Sequence, residues 1–61
     1  MKFKIGDVIR KEHILGEVTK VDYIAGFDEV WVTFDGADTE HCFGSKELLL
    51  VVNVADRKDL D

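Results

Sequence analysis

The chain has 61 residues, a formal charge of −5, one cysteine and no proline. One small domain fits that length, and a chain so short buries only about 60% of its unfolded surface, so its core is modest. The single cysteine excludes an internal disulfide, no cysteine–histidine spacing reads as structural zinc, and the longest apolar run, Leu48–Val52, falls far short of the roughly 20 residues that cross a bilayer.

Lys2-Phe3-Lys4-Ile5 alternates, placing Phe3 and Ile5 on one face, and Gly6-Asp7 is a turn signal. Val8–Lys11 reads as the first strand. Residues 12–16 break the alternation and read as a loop with a turn or bulge at Gly16. Glu17–Ile24 is rich in β-branched and aromatic residues and reads as the second strand. Val18 and Val21 differ in parity, so burying both requires a bend or bulge between them. Residues 25–28 read as a loop and Glu29–Phe34 as the third strand. Its Val30, Val32 and Phe34 share one face, and Trp31 and Thr33 the other. Asp35-Gly36-Ala37-Asp38 suits a hairpin connection, because Asp-Gly accommodates the positive φ that tight turns need. Thr39–Phe43 is the fourth strand, Gly44–Glu47 suits one 3₁₀ turn, and Leu48–Val52 is the last strand. The remaining stretch is mostly charged and reads as a frayed tail or a short helical turn. The expected organisation is a barrel over residues 1–53 and a charged tail over 54–61. Short, evenly spaced strands punctuated by Gly and Asp give an all-β, five-stranded barrel with a 3₁₀ turn before the last strand.

Charge is unevenly placed. Residues 1–20 carry a net +2 and residues 45–61 a net −1, whereas residues 21–44 hold six acidic groups and no Lys or Arg. Nucleic-acid binding is driven by phosphate neutralisation, so an acidic chain is a poor default binder. A local basic edge of Arg10, Lys11 and Lys20, with Lys2 and Lys4, is the exception to weigh.

Four segments together carry a resemblance: Gly6-Asp7-Val8-Ile9-Arg10, Leu15-Gly16-Glu17-Val18, Val30 to Gly36, and Glu47 to Val51. They resemble the Tudor-like and KOW-like group of SH3-like barrels, and most nearly the small C-terminal Tudor-like domain of superfamily 1 repair helicases. Similar barrels occur in transcription–repair coupling factors and in small phage or prokaryotic proteins. The resemblance covers roughly residues 3–52, and its motifs are short. It implies a binding module: the helicase and coupling-factor barrels bind RNA polymerase, and other KOW-type barrels bind RNA, ribosomal protein or DNA. Those helicase barrels are basic around the first strands, which this chain is only at Arg10, Lys11 and Lys20.

Trp31 lies outside if Val30, Val32 and Phe34 fill the barrel, and an outward tryptophan suits a partner anchor. Tyr23 and Phe27 bracket the second loop, where aromatics often line a ligand groove. With Asp28 and Glu29 they make the expected partner-binding set: Tyr23, Phe27, Asp28, Glu29 and Trp31. An aromatic cage from Tyr23, Phe27, Trp31 and Phe43 with Asp28 or Asp38 is a less favoured arrangement. His41 and Cys42 are adjacent on a strand and point to opposite faces, which argues against a nucleophilic pair. His13 and His41 have no metal-ligand spacing. Asp7, Asp35 and Asp38 sit where turns favour Asp for backbone reasons.

The expectation is therefore a non-catalytic module without metal or cofactor. It binds a protein partner; the alternatives are a weak nucleic-acid-binding barrel using its N-terminal basic edge and a homo-oligomeric structural protein. The transcription or DNA-repair machinery is the partner class the resemblance implies. The lone cysteine, with no leader-like start, points to a reducing, cytoplasmic setting. Size alone suggests a free-standing small phage or prokaryotic protein.

Overall fold

The computed structural model describes residues 2–60. Five antiparallel strands form one sheet: β1 (Val8–Lys11), β2 (Ile14–Ile24), β3 (Phe27–Phe34), β4 (Glu40–Gly44) and β5 (Leu49–Val52), in the order β4-β3-β2-β1-β5. A 3₁₀ turn, Ser45–Glu47, precedes β5 as expected, and a second, Val54–Asp56, follows it. No ladder joins β4 to β5 among the described residues, so the sheet is open and both strands are edges.

Phe3, Ile9, Val18, Val30, Val32 and Leu48 form one buried core, with Val21, Phe34, Phe43 and Leu50 packed against it. Collecting residues from β1, β2, β3 and the approach to β5 around one core requires the sheet to curl. The curl has a visible device. Pairing of β2 with β3 shifts register between Val18 and Lys20, at the place where the Val18/Val21 parity demanded a bulge. Val18 then faces Val32, and Val21 faces Val30, all on the inner side. Gly16 is also inward, and a Cβ there would meet the Phe34 ring at 3.0 Å, so the ring lies over the glycine backbone.

Several expectations change. Gly16 is not a turn: β1 and β2 are joined by Glu12-His13, with Glu12 at φ 57, and β2 begins at Ile14. Phe27 and Asp28 are not loop residues, because Ala25-Gly26 alone makes the second turn and β3 starts at Phe27. Phe3 and Ile5 do not share a face: Phe3 is in the core, whereas Ile5 is 60% exposed, since residues 2–4 form no strand and the chain turns at Ile5-Gly6.

The two ends of the chain meet at Asp7, which is 1% exposed. Its carboxylate accepts hydrogen bonds from the Lys4 amide at 2.8 Å and the Val54 amide at 2.8 Å. Its own backbone carbonyl accepts from the Val18 amide at 2.9 Å. Arg57 donates to the Gly6 carbonyl at 2.7 Å and pairs with Glu17 and Asp59. Val54–Asp56 thus form the helical-turn alternative, and Val54 and Arg57 anchor this segment on the β1–β2 region.

Candidate functional site

Side chains directly opposed in an antiparallel ladder lie on the same face. The registers therefore order the outer face of β2, β3 and β4 into rows. Ile24 faces Phe27 at the turn, Asp22 faces Glu29 and then Gly44, and Lys20 faces Trp31 and then Cys42. Glu17, Thr33 and Glu40 make the next row. Glu40 hydrogen-bonds the hydroxyl of Thr19, the residue inside the register shift.

Three of the expected partner-binding residues, Phe27, Glu29 and Trp31, fall on this face at alternate positions of β3. Phe27 is 73% exposed and Ile24, beside it, 56% exposed. Trp31 is half-buried, and the Lys20 ammonium lies 4.7 Å from its ring centroid, within cation–π range. Asp22 and Glu29 are half-buried, directly opposed, and in no ion pair among the described residues.

The other two, Tyr23 and Asp28, oppose each other on the opposite face. Tyr23 holds down the N-terminal segment: its hydroxyl donates to the Phe3 carbonyl at 2.6 Å, and the Lys2 ammonium lies 5.0 Å from its ring centroid. Burial pushes the Tyr23 hydroxyl above its ordinary value, and nearby Asp28 and Asp7 push the same way. Asp28 accepts a hydrogen bond from the Ser45 hydroxyl at 3.2 Å. That contact divides two shallow hollows of about 500 and 550 Å³, which share Asp28, Ser45 and Lys46. Phe27 and Glu47 border the first, and Leu48 to Leu50 the second. Phe27 thus stands between the outer face and a groove.

The aromatic cage does not assemble. Phe27 and Trp31 are outward, while Phe43 faces Val30 on the inner side and packs edge-on to Phe34 at 5.9 Å. His41 lies beside Phe34 at 5.8 Å and Phe43 at 6.4 Å. Cys42 is on the other face, as their adjacency required; its thiol is pushed up by desolvation, then by Glu29 and Glu47. Among the described residues no group of three His, Cys, Asp or Glu side chains is placed to hold a metal ion.

The basic residues do not converge either. Arg10 is exposed on the outer face of β1, in a row with Leu15 and Leu49. Lys11 turns to the inner side, 5.0 Å from the Phe43 ring centroid and 3.8 Å from the Glu47 carboxylate. Lys20 lies over Trp31, five positions along β2 from Leu15, the residue opposite Arg10, or roughly 16 Å at strand rise.

Sequence reasoning missed Asp22, Ile24 and Gly44 as members of this face. The signal was present in the parity across Ala25-Gly26. A two-residue turn pairs Ile24 with Phe27 and so Asp22 with Glu29. No helix among the described residues is long and apolar enough to cross a membrane. A scan against protein-family models and searches of the curated proteins and of the solved structures found no match to the chain.

Proposed function

We propose that this chain is a small, non-catalytic interaction module, an SH3-like barrel of the Tudor-like and KOW-like group, that binds a protein partner through the outer face of the β2–β3 hairpin. The observation that carries this reading is Phe27, 73% exposed at the hairpin turn and aligned with Glu29 and Trp31. An aromatic ring held on a rigid strand and left in water loses little entropy on docking, and aromatic anchors dominate interface hot spots. The absence of Lys and Arg from residues 21–44 favours a basic protein surface over a phosphate backbone. Lys2, Lys11 and Lys20 resting on the chain's own rings points the same way. The buried carboxylate, Asp7, is taken up by two backbone amides, which suits a structural role and not acid–base chemistry. The resemblance to helicase and coupling-factor barrels directs the search to transcription and repair proteins in a cytoplasmic extract.

The test is capture from such an extract, identification of the retained protein, and direct titration of that protein in purified form. Phe27→Ala and Trp31→Ala should each weaken the purified interaction at least about tenfold. An interaction indifferent to both changes overturns the reading.

A homo-oligomer has one observation of its own. The free edge of β5 carries Leu49, 57% exposed, and Val51, and unpaired apolar edges template strand addition. Mass in solution at micromolar concentration decides it: a dimer lost on Val51→Lys supports it, and a monomer removes it.

A further inference from the structure

We infer that the partner engages this face with an extended basic segment laid along the free edge of β4, whose arginine or lysine side chain crosses Gly44 to the Asp22–Glu29 pair. The inference rests on the interaction-module reading and names the chemistry of its partner.

Three observations converge on it. First, Asp22 and Glu29 are directly opposed and have no ion-pair partner among the described residues. Like charges opposite one another destabilise a ladder, and a cation brought against Glu29 relieves the opposition. Second, the row they form ends at the sheet edge in Gly44. A Cβ at that position would meet only the Glu47 carboxylate, at 3.6 Å, so the row is open to entry from the β4 side. Third, β4 has a free edge. The Gly44 amide turns away from β3 and donates to Glu47 at 3.0 Å. Hydrogen-bonding direction alternates along an antiparallel strand, so the backbone groups of Cys42 also face outward, where a further strand would pair with them. Such a strand would lie two strand spacings from β3, roughly 10 Å, a gap that an arginine and a glutamate side chain close from either end. Its apolar residue two places along would cover Cys42 beside Trp31.

Charge selects the occupant. A second copy paired symmetrically through β4 would bring the same acidic stretch to this edge, because residues 21–44 hold six acids and no Lys or Arg. Lys20, the cation of the adjacent row, is held over Trp31. The complementary cation comes from a partner protein.

The test titrates the ¹⁵N-labelled chain with an acetylated, amidated peptide alternating arginine and valine, and with the same peptide carrying citrulline for every arginine. The arginine peptide should shift the amides of Asp22, Glu29, Cys42 and Gly44 and slow exchange of the Cys42 amide. Citrulline should cost at least about tenfold in affinity. The Asp22→Asn/Glu29→Gln double variant should melt at a higher temperature and lose the peptide, a combination that structural damage does not produce. Gly44→Leu should also lose it by closing the slot. Equal binding of the citrulline peptide, unchanged binding by the double variant, shifts centred on β5, or no shifts at all would each overturn the inference. A natural partner that needs Phe27 but ignores the double neutralisation would keep the module reading and remove this one. The reverse result would do the opposite.

Discussion

The junction around Asp7 and the face around Phe27 are built on opposite terms. At the junction a carboxylate that is 1% exposed has both oxygens occupied, and Arg57 closes over the Gly6 carbonyl. At the hairpin the largest exposed side chain has no role in the core, and two acids oppose each other without an ion-pair partner among the described residues. A domain this small has few kcal/mol to distribute. Local rules are satisfied where the chain ends must be held and broken where a partner could restore them, the pattern expected of functional surfaces.

The comparison breaks most sharply if the junction proves dispensable. Asp7→Ala leaves the Lys4 and Val54 amides without an acceptor in a buried setting and should cost about 3 kcal/mol, a large share of the total for a domain this size. Urea unfolding followed by Trp31 fluorescence measures it, and a loss under about 1 kcal/mol would show that the chain ends are not what holds the fold. Gly6→Ala should cost about 2 kcal/mol, because Gly6 sits at φ 96 and a Cβ there would meet Val54 Cγ2 at 2.6 Å.

Tyr23 extends the junction along β2. Tyr23→Phe removes the hydrogen bond to the Phe3 carbonyl and should cost about 1 kcal/mol at neutral pH. Burial raises the hydroxyl above its ordinary value of 10.0, so the folded chain keeps this proton when the unfolded chain has lost it. The contribution is therefore complete below pH 10.0 and falls away as pH rises through the folded value. Urea midpoints across that range should decline in the parent and decline less in Tyr23→Phe.

How far each region was legible follows from what sets it. The Val8–Lys11 strand, the bulge after Val18, the inward Val30 and Val32 and the 3₁₀ turn at Ser45 all follow from parity and turn chemistry within a few residues. Turn length was harder to see: Ile14 to Gly16 belong to β2 because Glu12 at φ 57 closes the first hairpin without glycine, Ile5 leaves the core face because the chain turns at Ile5-Gly6, and Phe27 joins β3 because Ala25-Gly26 suffices for the second turn. Of the Asp7 junction only the Gly6-Asp7 turn was legible, with Asp7 serving the nearby backbone at Lys4; its bond to Val54 and that of Arg57 to Gly6 span 47 and 51 positions and have no local signature. At the candidate site Phe27 joins the face only through the two-residue turn, whereas Glu29 and Trp31 were legible from alternation. Asp22 opposite Glu29 was not, because their meeting depends on a register set by the turn between them.

The hairpin face should respond in the opposite sense. Glu29→Gln removes a like-charge opposition and should raise stability by about 0.5 kcal/mol, read as a higher urea midpoint at unchanged slope. A fall would mean that Glu29 has a structural partner, and the face would then resemble the junction.

The smallest effect is the one that separates the two regions. Phe27→Ala should leave stability within about 0.5 kcal/mol of the parent, because a ring that is 73% exposed contributes little burial to the fold. Large hydrophobic side chains on a rigid strand are seldom left in water without consequence for solubility, so a neutral change here separates folding from retention of the ring. If stability falls instead by the 3 kcal/mol or more typical of a core phenylalanine, about the size expected at Asp7, the ring is part of the fold, and the anchor must be sought at Trp31 or on the β5 edge.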